Sequence, residues 1–191
     1  MTGIGRSRLV AMIVAVAMIA VAVAGVRLSE AGDKAQLIRG GSGEVLAIRG
    51  GTVHAVEVRV GTAVKNFGRT EPTNGLFVVV RVALAATGPA KLSLMSSKLL
   101  AAPDRTYTNF GSTSGVTAEP GFETTTELTF EVDPAHLDNL TLTLSPLEIV
   151  SGYQQQVQIH LGITPDNAAD WRAAAQGQVI AVALPANRGI A

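Results

Sequence analysis

The chain has 191 residues, with 15 basic and 15 acidic side chains, 47% apolar and 4% aromatic residues, and no cysteine. That length suits one domain with a substantial core, built here mainly from Val, Leu, Ile and Ala. The missing cysteine excludes disulfides, thiolate chemistry, Cys-ligated metal sites and a lipidated N-terminal cysteine, and the lack of a basic cluster argues against a nucleic-acid partner.

From Leu9 to Val26 the sequence reads LVAMIVAVAMIAVAVAGV, without a charged or polar side chain. As a helix it would span about 27 Å, close to a hydrocarbon core of about 30 Å. Arg6 and Arg8 precede it and no acid does, a bias that keeps the N-terminus inside and the rest outside. The expectation is a membrane anchor in residues 1–26. Ala22-Val23-Ala24 also offers small residues for signal-peptide cleavage after Ala24, which would release the protein. The unbroken apolar helix through that point favours anchoring.

Residues 27–44, with GDKAQLIRGGSGE, read as a polar, glycine-rich linker interrupted by Leu37 and Ile38. Period-two patterns follow over 45–184. Val45 to Ile48 and Thr52 to Val60 flank Gly50-Gly51, which predicts a hairpin with both glycines at the turn. In the second run Val56, Val58 and Val60 are expected on one face, opposite Glu57 and Arg59. Pro72-Thr73-Asn74-Gly75 reads as a turn before Leu76 to Leu84, a strand apolar on both faces and therefore central. Short apolar stretches occupy 90–101, Ala102 to Arg105 fits a turn with Pro103 at its second position, and Thr106 to Thr108 returns as a strand.

The clearest strand runs from Phe122 to Val132, bounded by Pro120-Gly121 and Asp133-Pro134. Its Glu123, Glu127 and Glu131 share a face at spacings of about 13 Å, too far for neighbours to share a proton, so a solvated face is expected. Leu140 to Leu144 and Val157 to Ile163 alternate again. A helix is expected over 165–176, capped by Thr164, opened by Pro165 and stopped by Gly177, with Trp171 packing it onto the sheets. Residues 179–184 suggest a last strand and 185–191 a loose tail.

Three stretches, TNGLFVVVRVAL, LLAAPDRTY and PGFETTTELTFEVDPAHLDNLTLTL, resemble a bacterial extracytoplasmic immunoglobulin-like family of unknown function. Its members occur in secreted proteins and lipoproteins and are often labelled telomeric-repeat-binding-factor-like. The resemblance covers about residues 52–163. It implies an all-β, immunoglobulin-like antiparallel sandwich outside the cytoplasm, and brings no active site. Attachment by lipid does not carry over, because the lipidated cysteine is missing.

No catalytic, cofactor or metal residues are assigned. His54, His136 and His160 lack a local metal-ligand spacing, although His54 and His160 fall in strands that could meet. Gly40-Gly41-Ser42-Gly43 lacks the Lys-Ser/Thr end of a phosphate loop, and Gly-x-Ser-x-Gly is missing. Asn139-Leu140-Thr141 matches a glycosylation acceptor only as short sequences often do. The expected function is therefore a non-enzymatic binding module of the bacterial envelope, tethered through Leu9 to Val26, with a protein partner. The alternatives are a carrier or sensor of a small apolar ligand between the sheets, and a hydrolase with a dispersed site.

Overall fold

The structure, a computed structural model, describes residues 36–102, 104–111, 115–146 and 155–190. The apolar segment from Leu9 to Val26, Ala24 with its cleavage point, and the linker up to residue 35 lie outside the described residues.

In chain order the strands are β1 (Gln36–Gly41), β2 (Leu46–Ile48), β3 (Gly51–Asn66), β4 (Arg69–Ala86), β5 (Leu92–Leu94), β6 (Ser96–Ala101) and β7 (Arg105–Thr108). There follow β8 (Val116–Ala118), β9 (Phe122–Val132), β10 (Thr141–Ser145), β11 (Gln155–His160), the helix α1 (Ala168–Ala175), β12 (Val179–Ala181) and β13 (Ala186–Gly189). Sheet I has the order β1-β11-β10-β6-β7, and sheet II has β12-β3-β4-β9-β13 with β2 also beside β3. Strands β5 and β8 form a small ribbon. The chain is a β-sandwich.

Alternation along the strands fills the interior. Leu99, Leu142, Leu144, Val157 and Ile159 come from sheet I, and Val53, Val78, Val80, Val82, Leu84, Leu128 and Phe130 from sheet II, all fully buried in one cluster. Burying each such side chain contributes about 1.5–3 kcal/mol over leaving it exposed, so aliphatic packing holds the fold without cross-links. Strand β4 is central, as its sequence predicts. From Leu76 to Ala86 its even-numbered residues face this core, while Phe77 and Val79 join Val64 and Ile180 in a second cluster on the outer face.

Strand β3 departs from simple alternation. Its register with β4 shifts between Ala55 and Glu57, leaving Val56 as the extra residue of a bulge. Val53 and Ala55 point inward before the bulge, and Val58 and Val60 after it, while Val56 is 46% exposed. The expected shared face of Val56 with Val58 and Val60 is thus overturned. Regular alternation carried through Val56 without a bulge would instead turn Glu57 and Arg59 into the core, at a cost far above that of one bulge.

The β2–β3 hairpin turns one residue earlier than expected. Gly51 pairs with Ile48, and only Gly50 of the two glycines has positive φ, at 90°. Gly51 is needed for a different reason: a Cβ there would lie 1.8 Å from the Ala85 carbonyl oxygen. Likewise Pro72 to Gly75 belong to β4, and the connection from β3 is the tight turn at Phe67-Gly68. Pairing of β4 with β9 begins only at Leu76, so Pro72 has no strand on one side and its missing N–H breaks no ladder there.

Three further expectations change. Residues of the expected linker form β1, which pairs in parallel with β11 through Ile38 opposite Val157. The expected loose tail contains β13, antiparallel to β9. The pairing is therefore not wholly antiparallel, since β1 and β12 are both parallel edge strands. The helix starts at Ala168 rather than residue 165. The Asn167 side chain accepts the Thr164 N–H and donates to the Gly162 carbonyl, fixing a turn ahead of the helix. Gly177 ends it with φ 71°, as expected.

Candidate functional site

The bulge at Val56 sets the register of a charged row on the outer face of sheet II. It places Glu57 of β3 opposite Arg81 of β4, and Arg81 lies opposite Glu127 of β9. Arg81 donates to Glu127 Oε1 from Nε at 3.0 Å and Nη2 at 2.8 Å, and its Nη1 lies 2.9 Å from Glu57. Arg59, two residues along β3, brings Nη2 to 2.6 Å from Glu127 Oε1 and donates from Nη1 to the Ala181 carbonyl at 3.3 Å. The Arg59 Nη2 approach is close but misaligned, an ion contact rather than a hydrogen bond. The four side chains sum to zero charge.

Glu127 is the buried member. Its side chain is 1% exposed, against 28% for Arg59, 34% for Arg81 and 41% for Glu57. The sequence reading put Glu123, Glu127 and Glu131 together on a solvated face; for Glu127 that is overturned. A carboxylate removed from water needs partners on its lone pairs, and Glu127 has two guanidinium groups on Oε1 and the Ala183 N–H on Oε2 at 2.8 Å. The hydrogen bond to Glu127 raises the Arg81 pKa above its ordinary value. Partial burial opposes this, and the Glu127 and Glu57 charges add to it.

The Ala183 contact shows what covers this face. After β12, beside β3, residues 182–185 cross over β4 to the β9 edge, where β13 begins. Val182 is tied by its N–H to the Lys65 carbonyl and packs on the cluster of Val64, Phe77, Val79 and Ile180. Beyond Ala183 the segment stands off the sheet, leaving a cleft of about 530 Å³. His54, Val56, Ala83 and Thr125 contribute to its floor, and Leu184 and Arg188 to its wall. Arg188 Nη2 donates to Glu123 Oε1 at 2.9 Å. A second cleft of about 380 Å³ separates α1 from the β3–β12 edge, with Trp171 and Arg59 in its lining. Trp171 is half-buried against the main core, which is the packing role expected of it.

The remaining chemistry-bearing residues stay apart. His54 faces outward from sheet II, whereas His160 lies on sheet I with Nδ1 2.9 Å from Thr141 Oγ1. The two histidines do not meet. His136 follows Asp133, which caps a single 3₁₀ turn, and lies 3.9 Å from its carboxylate. Glu131 accepts from the Thr73 hydroxyl. Among the described residues no group of three or more His, Asp or Glu could hold a metal ion, and no helix is long and apolar enough to cross a membrane.

Sequence reasoning missed the charged row. One signal was present: Arg81 interrupts an otherwise apolar run, so its charge had to be met on whichever face it occupied. The bulge that aligns Glu57 with it left no such trace.

Fold and outer-face cleft together define a two-sheet sandwich whose surface relief comes from paired charges. The sequence matches no family profile and no curated protein. Among solved structures it is similar to the YjhA protein of Bacillus subtilis, at 15% identity and TM-score 0.48, over 62% of this chain and 98% of that one. It is also similar to an uncharacterized β-sandwich protein of Clostridium difficile 630, at 9% identity and TM-score 0.44, over 67% and 96%.

Proposed function

We propose that this chain is a membrane-tethered, extracytoplasmic binding module with an immunoglobulin-like sandwich, and that it engages a protein partner through the outer face of sheet II. The tether is the apolar segment from Leu9 to Val26, with Arg6 and Arg8 on the retained side. The observation that carries the binding reading is the engagement of the charged groups at the cleft with one another. Glu57, Arg59, Arg81 and Glu127 form one network, and Glu123 holds Arg188. Groups spent on ion pairs give a fixed relief for recognition and are poorly placed to exchange protons with a substrate, which favours a non-enzymatic role. The carrier reading draws no support from the interior, where facing side chains such as Val80, Leu128 and Leu142 are fully buried.

The test is site-directed photo-crosslinking in intact cells, with the crosslinker at Thr125 or Leu184 in the cleft and at Gln158 on the outer face of sheet I as control. The expected result is a discrete adduct from the cleft positions alone. Identical products from all three positions, or none, would defeat the binding assignment. An intact Met1 region on the membrane-extracted chain supports the tether, and a start at Gly25 replaces it with release.

A further inference from the structure

Strand β13 is fastened differently from every other part of sheet II. All four of its residues, Ala186–Gly189, are exposed, so it adds no buried apolar side chain. Its hold on β9 consists of antiparallel backbone pairing from Ala186 opposite Thr125 to Gly189 opposite Phe122 and two side-chain contacts. These are Arg188 on Glu123 at 2.9 Å and the Thr124 hydroxyl donating to Asn187 Oδ1 at 2.9 Å. The Ile190 N–H adds a bond to the Gly121 carbonyl. Arg188 is 76% exposed, and such a surface ion pair changes an equilibrium by no more than about fivefold. Elements held this way open locally far more often than the core does.

The segment just before β13 is anchored by contrast, through Val182 in the outer cluster and the Ala183 N–H on Glu127. Leu184, 69% exposed, and Pro185 separate the two regimes and form a natural hinge. When β13 lifts from that hinge, the backbone of β9 from Phe122 to Thr125 becomes a free sheet edge. Glu123 then loses its cation, whereas Glu127 keeps Arg59 and Arg81.

We propose that this β9 edge is an acceptor for an extended peptide strand carrying a basic residue opposite Glu123, and that β13 fills it as a displaceable built-in occupant. The proposal rests on the reading of the cleft as a binding surface and gives its protein partner a chemistry. Main-chain pairing supplies affinity, and alternate side chains supply selectivity: a cation for Glu123, a hydrogen-bond acceptor for the Thr124 hydroxyl, a small residue beside Thr125.

The test uses the full chain as wild type, as Arg188→Glu, and as the charge-swapped pair Glu123→Arg with Arg188→Glu. The probe is a fluorescent synthetic peptide with the sequence of residues 182–190, VALPANRGI, read by anisotropy beside amide exchange of 122–125. Arg188 is 76% exposed, so Arg188→Glu folds, and the charge-swapped pair keeps opposite charges facing each other at the 19% exposed position 123. Arg188→Glu puts like charges across the strand pair; amide exchange there should quicken, and peptide affinity should rise, on the order of tenfold over wild type. The charge-swapped pair should close again and lose that affinity. Equal peptide binding by wild type and Arg188→Glu overturns the proposal, as does a concentration-dependent dimer of Arg188→Glu that the peptide fails to disperse. Crosslinking in cells that fails while the peptide result holds counts against the proposed partner binding at the cleft and leaves the strand acceptor standing, and the reverse pattern counts against the acceptor alone.

Discussion

Glu127 organises the outer face of sheet II, because a buried carboxylate must be met by donors and here β3, β4 and the segment after β12 supply them. Its replacement by alanine would take the shared carboxylate from two partly hydrated guanidinium groups, leaving Arg81 only Glu57, and would leave the Ala183 N–H without its acceptor. Glu127→Ala should therefore cost about 3 kcal/mol, the low end for breaking a buried pair, seen as a lower urea midpoint with an unchanged slope. Glu127→Gln, which can still accept from Ala183, should cost less. Arg81 contributes in a defined pH window. A raised folded pKa means that, while its carboxylate partners stay ionised, its contribution is complete below the ordinary guanidinium range and fades as pH climbs through the folded value. This part of the network is therefore constant across neutral pH. Of these residues Arg81 was legible in the sequence as a charge set in an apolar run. The depth of Glu127 was not, since a Glu in alternation with threonines looks the same whether or not another segment crosses over it.

At the scale of elements, strands whose two faces differ in polarity were readable. The bounds of β9 and the centrality of β4 follow from side-chain alternation and from turn residues at their ends. Misreadings cluster where one residue changes parity or where a turn lacks its usual signature. The bulge at Val56 is the first kind, and the β3–β4 turn the second. Phe67 sits there with φ 47° and 78% exposed, a conformation that costs a non-glycine residue about 1 kcal/mol while its ring gains little burial. Phe67→Gly should accordingly stabilise the protein slightly, by up to about 0.5 kcal/mol once the added freedom of the unfolded chain is subtracted, measurable as a raised melting temperature. A loss of stability would mean the ring packs on the hairpin. The edge strands β1 and β13 were read as linker and tail because polar, glycine-containing residues suffice for a strand whose partner supplies the pairing.

Across the whole molecule, sheet I joins distant parts of the chain: Gln36 pairs with Gln155, and β6 lies between β7 and β10. Such non-local pairing requires loop closure before it is rewarded, so refolding should take milliseconds to seconds, followed by stopped-flow fluorescence of Trp171. Folding in microseconds would contradict this topology. The sequence by itself determined an all-β sandwich with an aliphatic core and the alternation of its long strands, because hydrophobic period and turn chemistry are local properties. It also carries the only description of the segment from Leu9 to Val26. Only the tertiary structure decided that Glu57, Arg81 and Glu127 align, that Ala183 closes over Glu127, and that β13 closes the β9 edge. Those facts depend on register and on segments remote in the chain, whose meeting no local pattern encodes.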